Sequence, residues 1–389
     1  DATAEPSADT AGPGDTAHTG DTAHTGDTNP PVDTSDGSPG DTSDTAAAEY
    51  TGLYRAEDGF IWTEDDHVLL LRGINLSGVA KNTEDYLYPL TVDEIDLLIA
   101  GGMNSVRLLT FWCAIAPEGP DSVDRAYIEA FTERVQMLTE AGLYVIIDMH
   151  QDLWGKPFNN HGAPEWACPA ELTEGYESTT PWYMNYSSIQ VSSCFDNFWG
   201  DPTLRAAMVD AWVAMAQAVC PFERVVGFDH INEPWPGTDL FNPDFDNEVL
   251  TPFYQEVMTG IETVCPGRLH FLERGGGGVI GLAETIEVPE EMRLQSVYAP
   301  HFYPAEVHDP SDGYNLDKEA LEDRIISEFG TNLDAGVPLW IGEFGGLVSN
   351  PNFDLYIQDL HQIFLKHSIS SALWDYTIDS GGFGYLEAA

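Results

Sequence analysis

Basic residues are scarce in this chain: 15 Lys and Arg stand against 65 Asp and Glu, a formal charge of −50 over 389 residues. A surface so acidic repels phosphate backbones and anionic membranes, which excludes nucleic-acid binding as a function and disfavours docking on anionic lipid. Long apolar runs are missing too, so no transmembrane span or export signal can be read and no stable membrane insertion is expected. The five cysteines (Cys113, Cys168, Cys194, Cys220 and Cys265) lack metal-ligand spacing. Residues 1–48 have almost no Val, Ile, Leu or aromatic side chains, and the hexapeptide Asp15–Gly20 repeats at once as Asp21–Gly26. Nothing there offsets the entropy of ordering, so a disordered acidic spacer is expected. Its Asp-rich repeats lack the Gly and Glu placement of a calcium-binding loop.

What is present begins near Glu49, where the composition turns globular; residues 49–389 fit one large α/β domain. Cys168 and Cys194 bracket one long loop. Cys220 and Cys265 each close an expected helix and are each followed by Pro and a strand. Both pairs are expected as disulfides, with Cys113 left over; the alternative is five unpaired small hydrophobes. Disulfides imply an extracytoplasmic compartment, and a chain starting inside a spacer reads as an exported product, secreted or held at the cell surface through that spacer.

Strand and helix signals alternate along residues 49–389. A β-rich opening, Phe60–Trp62 and His67–Leu71, leads to a first barrel strand at Arg72–Leu76. A helix follows with a capping box of Thr91 and Glu94, ending at Gly101-Gly102. Strand two is Ser105–Thr110, a helix covers Asp124–Ala141, and strand three is the continuously apolar Leu143–Ile147, as burial on both faces requires. After an aromatic-rich loop, Leu153–Gly200, come a helix Pro202–Cys220, strand four Val225–His230 and a helix ending at Cys265. Strand five is Leu269–Leu272, strand six lies in Leu294–Tyr298, and a helix covers Lys318–Asp334. Strand seven is Pro338–Gly342, a helix spans Phe353–His367, and strand eight is Ser371–Leu373. Eight such strands predict a (β/α)8 barrel. Little room for a normal eighth helix remains before Ala389. Either the N-terminal β segment and short ends close the barrel, or a C-terminal part is missing.

Chemistry gathers where these strands end. Ile231-Asn232-Glu233-Pro234 and Ile341-Gly342-Glu343-Phe344 each set a glutamate after an apolar run, about 110 residues apart. In a barrel both would face the mouth, and two carboxylates there are the minimum for cleaving a glycosidic bond. Glu233 is assigned general acid, with a raised pKa, and Glu343 nucleophile, at a separation of about 5–5.5 Å for a retaining reaction. Arg107, inside Val106–Leu109, needs a carboxylate partner. Glu343 is the candidate, held ionised by the pairing; a non-catalytic core ion pair is the alternative. Asp148-Met149-His150-Gln151-Asp152 reads as a sugar-binding edge. Tyr303 could bond the nucleophile and His301 the acid/base, Asn232 could bond a sugar 2-hydroxyl, and Trp374 could be the platform on which a sugar stacks. Phe111, Trp112, Leu153, Trp154, Trp182, Tyr183, Met184, Phe198, Trp199, Trp235 and Phe241 offer an apolar cleft for the leaving group. Gly276–Gly281 satisfies G-x-G-x-x-G, but it follows the fifth strand without a capped helix and an acidic partner, so a flexible loop is the simpler reading.

With these residues the chain resembles glycoside hydrolase family 5, and within it the endoglycoceramidases. The resemblance rests on Arg72–Asn75 with Ala80-Lys81, Val106-Arg107 with Trp112, Asp148–Asp152, Gly162–Pro164, Phe195–Trp199, Pro300–Pro304 and Gly342–Gly345. It implies a retaining (β/α)8 enzyme that hydrolyses the β-glycosidic link between glycan and ceramide without metal or organic cofactor. Lys81, His150, Asp152 and Trp374 would then touch sugar. Similar enzymes continue into a C-terminal β-sandwich, which this chain ends before. The alternatives are a cellulase- or mannanase-like endo-β-glycanase and a non-catalytic carbohydrate-binding surface protein. Oligomeric state is not legible.

Overall fold

Two short antiparallel strands, Tyr54–Glu57 and Phe60–Thr63, pair around Asp58-Gly59. Both turn residues have positive φ, 52° and 80°, as a two-residue hairpin requires. Alternation turns Tyr54, Ala56 and Ile61 inward, where with Leu69 and Leu71 they meet Ile146, Val226, Leu269, Phe271, Val297, Trp340 and Ala372. The hairpin thus plugs the end of the barrel where the strands begin. Beyond it, His67–Leu71 forms a bridge only at Val68, opposite Trp62, rather than the expected strand. The computed structural model describes residues 52–278, 286–307, 313–315, 317–377 and 383–384. The spacer expected over residues 1–48 lies outside them, as do Val279–Gly281 of the glycine motif. The described part of that motif, Gly275–Gly278, is a single 3-10 turn.

Nine parallel segments form the main sheet, and two of them, Ser296–Tyr298 and His301–Phe302, are halves of the sixth strand. The other strands are Arg72–Leu76, Ser105–Thr110, Tyr144–Met149, Val225–Asp229, Leu269–Leu272, Trp340–Phe344 and Ser370–Leu373. Pro300 splits strand six because it has no N–H to give the ladder. The first half pairs with strand five, the second with strand seven, and a bridge from Tyr298 to Leu339 closes the ring. The expected (β/α)8 barrel is therefore present. It is closed by its own strand six, not by the N-terminal segment. Among the described residues no β-sandwich follows it.

The helices form as their end signals predict. Thr91 and Glu94 make the reciprocal capping box, Asp124 caps Arg125–Glu140, and Asp317 caps Lys318–Asp334. The helix before Cys265 ends earlier than expected, at Glu262. The segment expected as loop up to Gly200 contains a twelve-residue helix, Ile189–Gly200, capped by Ser188. Its buried Val191, Cys194, Phe195 and Phe198 follow helical spacing. Both expected disulfides form, Cys168–Cys194 and Cys220–Cys265, leaving Cys113 free and buried. Strands four and five approach so closely at Gly227 that a Cβ there would lie 2.1 Å from the Leu269 carbonyl oxygen. Only glycine fits there.

Candidate active site

Strand two is buried along its whole length, so its one charged residue must be satisfied inside the barrel. Arg107 is fully buried and is met from five other strands or their ends. Its Nε donates to Asp229 at 2.9 Å, and Nη1 donates to Glu343 at 2.6 Å and to the Asn75 side-chain oxygen at 3.2 Å. Nη2 reaches Asn232 at 2.9 Å, Asp148 at 3.0 Å and Glu273 at 3.1 Å. Arg107 thus pairs with Glu343 but with three further carboxylates as well. One cation cannot hold four buried carboxylates ionised, so their pKa values must rise. Burial pushes Asp148 well above the ordinary range, Asp229 up, and Glu273 up to about 7. For Glu343 too the net direction is up. Burial and the nearby Glu233 charge outweigh the downward pull of His301 and Arg107, so Arg107 lowers the value as expected but does not bring it below the ordinary one.

The two glutamates meet at the mouth. A Glu233 carboxylate oxygen, a Glu343 carboxylate oxygen and a ring nitrogen of His301 all lie within 4.8 Å of one another. His301 Nδ1 is 2.9 Å from Glu233 Oε1 and 3.6 Å from Glu343 Oε2, and Tyr303 donates its hydroxyl proton to Glu343 Oε2 at 3.0 Å. Burial alone would lower the His301 pKa, yet the charges of Glu273 and Glu343 and its bonds to Glu233 and Glu273 raise it well above the usual value. The Tyr303 pKa is raised by burial and then by Glu343, so the hydroxyl keeps its proton to donate. Three such groups could in principle surround a cation. A protonated imidazole, however, donates from both nitrogens and has no lone pair for a metal.

On the next side of the mouth the Asp148–Asp152 edge meets strand eight. His150 Nδ1 lies 2.7 Å from Asp148 Oδ2, and its ring stacks on Trp374 with centroids 5.5 Å apart and planes 16° from parallel. Lys81 Nζ sits 4.4 Å above the Trp374 ring and 2.8 Å from Asp152 Oδ2. Burial and the Lys81 charge keep His150 neutral, its pKa well below the usual value. Burial would raise Asp152, but Lys81 and His150 hold it below the ordinary carboxylate range. Lys81, His150, Asp152 and Trp374 therefore form one polar-aromatic patch beside the glutamates. Asn232 gives its side-chain oxygen to Arg107 and one amide hydrogen to the Gln151 carbonyl at 3.1 Å. The second amide hydrogen remains for a ligand.

Sequence reasoning gave no role to Glu273, Asp229 or Asn75, and placed Gln151 only within the sugar-binding edge. Glu273 carried the same signal that singled out Glu233, a carboxylate directly after an apolar strand. Gln151 holds the Asn232-Glu233 turn, donating to both backbone carbonyls at 2.8 and 3.0 Å. Gly162 packs on it, for a Cβ there would lie 2.5 Å from the Gln151 Cβ. The expected apolar cleft divides in two. Phe111, Trp112, Leu153, Trp154, Phe198 and Trp235 are buried, and Trp199 packs against that core. Trp182, Tyr183, Met184 and Phe241 are 52, 47, 53 and 76% exposed. Trp182 connects to the site through Tyr186, 6.3 Å away between ring centroids, which lies 5.0 Å from Trp235, two residues past Glu233.

Paired glutamates at the ends of strands four and seven of a (β/α)8 barrel define the class of the barrel glycosidases. Residues 65–380 match the model of the cellulase family, glycosyl hydrolase family 5, and the chain belongs to that family. It is 33% identical over 188 residues to endoglycoceramidase I of Rhodococcus hoagii (strain 103S), a match covering 45% of this chain and 38% of that protein. It is 26% identical over 250 residues to a glucosylceramidase of Rhizopus delemar, covering 47% of this chain and 37% of the relative. Each match thus spans less than half of the relative's length. Among solved structures, endo-glycoceramidase II from Rhodococcus sp. in a ganglioside GM3 complex superposes with a TM-score of 0.73 at 26% identity, covering 84% of this chain and 77% of that one.

Proposed function

We propose that this chain is a retaining β-glycosidase that cleaves the bond between a glycan and a ceramide-like lipid. The observation that carries the reading is the closeness of the Glu233 and Glu343 carboxylates, within 4.8 Å at their nearest oxygens, well short of the about 6.5–9.5 Å that fits a water as well as the sugar between the pair in inversion. In the first step Glu343 attacks the anomeric carbon while Glu233 gives its proton to the departing oxygen. The product is a covalent glycosyl ester of Glu343 and the free alcohol. In the second step Glu233, now a carboxylate, takes a proton from water. The hydroxide oxygen bonds to the anomeric carbon, and Glu343 leaves as a carboxylate. Arg107 and Tyr303 stabilise the charge returning to Glu343, one from each oxygen, and their aim is set before reaction.

A lipid leaving group is supported by the exposed apolar cluster of Trp182, Tyr183 and Met184, linked toward the acid/base through Tyr186 and Trp235. The names of the related proteins point the same way. The disulfides favour an exported, extracytoplasmic enzyme, with residues 1–48 as a spacer ahead of the catalytic domain. Two measurements test the reading. Hydrolysis of an aryl β-glycoside should fall by at least about 10³-fold in Glu343→Gln; full activity in both Glu343→Gln and Glu233→Gln would end the assignment. A fluorescent glycosylceramide should be cleaved in preference to carboxymethylcellulose and mannan. Sugar release from the polysaccharides alone would replace the lipid by a glucan or mannan, and no turnover of any substrate would leave a binding protein.

A further inference from the structure

We infer that Glu273 is a positioning residue for the acid/base, tying the Glu233 backbone and the His301 imidazole into one closed ring; this rests on the glycosidase reading above. Glu273 ends strand five and is 1% exposed. Its Oε2 accepts the Glu233 backbone N–H at 2.8 Å. Its Oε1 lies 3.2 Å from His301 Nε2, while the other nitrogen of the same imidazole lies 2.9 Å from Glu233 Oε1. One carboxylate therefore holds the acid/base at both ends, by a hydrogen bond at the main chain and, at the side chain, through its ion-pair contact with the histidine.

Glu233 needs such a grip. Its φ is +44°, in the left-handed region that a non-glycine residue enters only at a cost in strain. The left-handed turn aims the side chain back over the mouth, and the bond from Glu273 holds the turn. Glu273 is itself held. Tyr254 donates to its carbonyl oxygen at 2.7 Å, and Arg107 Nη2 lies 3.1 Å from Oε1. Through that guanidinium the acid/base shares a frame with Glu343, so the spacing of the two catalytic groups depends on a residue that touches neither reacting atom. The chemistry of the ring has a direction. An imidazolium clamped by Glu273 donates to Glu233 Oε1, which leaves Oε2 as the oxygen that carries the proton to the leaving group. A glutamine at 273 has one carbonyl oxygen for two acceptor tasks, and its amide hydrogens face the donors of Arg107 and His301.

The test compares Glu273→Gln with the native protein on two glycosides of the same sugar, one with an alkyl leaving group and one with dinitrophenolate. The alkyl glycoside needs the proton and dinitrophenolate does not. The expected result is a fall in kcat/KM of about 10²-fold on the alkyl glycoside and less than about 10-fold on the dinitrophenyl one, the size of a misplaced general acid. KM should fall with kcat on the activated substrate, because the glycosyl-enzyme accumulates when Glu233 is a poorly placed base. Equal losses on both substrates with KM unchanged would overturn the proposal, as would native rates. If Glu273→Gln does not fold, His301→Gln opens the same ring from its other side and must show the same dependence on leaving group. A native protein that cleaves neither glycoside would instead sink the glycosidase reading itself.

Discussion

Arg107 Nη1 stands 2.6 Å from Glu343 Oε1, and still the Glu343 pKa lies above its ordinary value. Burial and the Glu233 charge outweigh the pull of the guanidinium, which is also divided. The same guanidinium also serves Asp148, Asp229 and Glu273, and each bond it makes leaves less of its charge for the others. Arg107 is therefore as much the keystone of the barrel's charge balance as a partner of the proposed nucleophile.

Replacing it should show this. Arg107→Met leaves buried carboxylates without their cation, and the expected loss is about 3–5 kcal/mol of unfolding free energy at neutral pH. The loss should shrink on acidification, because protonated carboxyls no longer need the guanidinium. Urea unfolding of the two proteins at pH 5 and pH 7.5 checks this. An equal loss at both values would mean that packing, not charge, accounts for the effect.

The native protein should be most stable on the acid side of neutrality. Asp148, Asp229, Glu273 and Glu343 have raised folded-state pKa values. The stability linked to each is present below the unfolded carboxyl value and is lost as pH rises through the folded one, about 7 for Glu273. His301, raised by its carboxylate neighbours, contributes below its unfolded value of about 6.5 and loses that contribution at higher pH. Asp152 acts oppositely: its lowered pKa contributes above the unfolded value and is lost in acid. So do His150, His161, His230, His270 and His361, whose lowered values contribute above about 6.5 and are lost as pH falls. The melting temperature should peak between about pH 5.5 and 6.5 and decline by several degrees toward pH 8.5. A melting temperature that rose steadily from pH 5 to pH 8.5 at fixed ionic strength would contradict the assignment.

Periodicity made most of the barrel readable from sequence. Ser105–Thr110, Lys318–Asp334 and Phe353–His367 begin and end at the expected residues because burial on one or both faces leaves a clear pattern, and Asp317 caps the second of them. The helix Ile189–Gly200 was hidden by its aromatic, Ser- and Asn-containing composition, although Val191, Cys194, Phe195 and Phe198 repeat at helical spacing. In the site, Arg107, Glu233, His301, Tyr303 and Glu343 were legible because polar residues after apolar runs stand out. Glu273 had the same signature but no short motif around it. Exposure was the least readable property. Phe111, Trp112 and Trp154 have the composition of a cleft lining and are instead core, since the sequence records that a residue is aromatic and not which neighbour covers it.

The disulfides should matter to stability more than to chemistry. Cys168–Cys194 and Cys220–Cys265 close loops with sequence separations of 26 and 45 residues. By the chain-entropy account each contributes about 2–4 kcal/mol. Removing either pair as Cys→Ser doubles should lower the melting temperature while leaving KM for a soluble glycoside within about 2-fold. Loss of substrate affinity without loss of stability would mean that a bridge shapes the site directly.

Chelation should leave the activity unchanged. The cluster of Glu233, His301 and Glu343 could enclose a cation by distance alone. His301 is held protonated there, and Tyr303 already occupies Glu343 Oε2. Dialysis against EDTA followed by assay is the check, and activity lost on dialysis but restored by a divalent ion would assign those three residues to a metal.

Trp374 and Trp182 should separate sugar from leaving group. Trp374 packs with both His150, 5.5 Å away between ring centroids, and Lys81, whose ammonium is 4.4 Å from the Trp374 centroid, on the patch proposed for the glycan. Removing its face from Trp374→Ala should raise KM about 10–100-fold for every glycoside that shares the sugar, since burying an aromatic face contributes about 1.5–3 kcal/mol. Trp182 is half-exposed and reaches the acid/base only through Tyr186 and Trp235. Trp182→Ala should therefore spare small aryl glycosides and weaken only substrates whose leaving group is a long lipid, by about 10-fold in kcat/KM. Paired assays of a nitrophenyl glycoside and a fluorescent glycosylceramide read both effects at once. If Trp182→Ala weakened the two substrates equally, the exposed cluster would belong to the support of the mouth and not to a lipid path, and the case for a lipid leaving group would lose its structural footing.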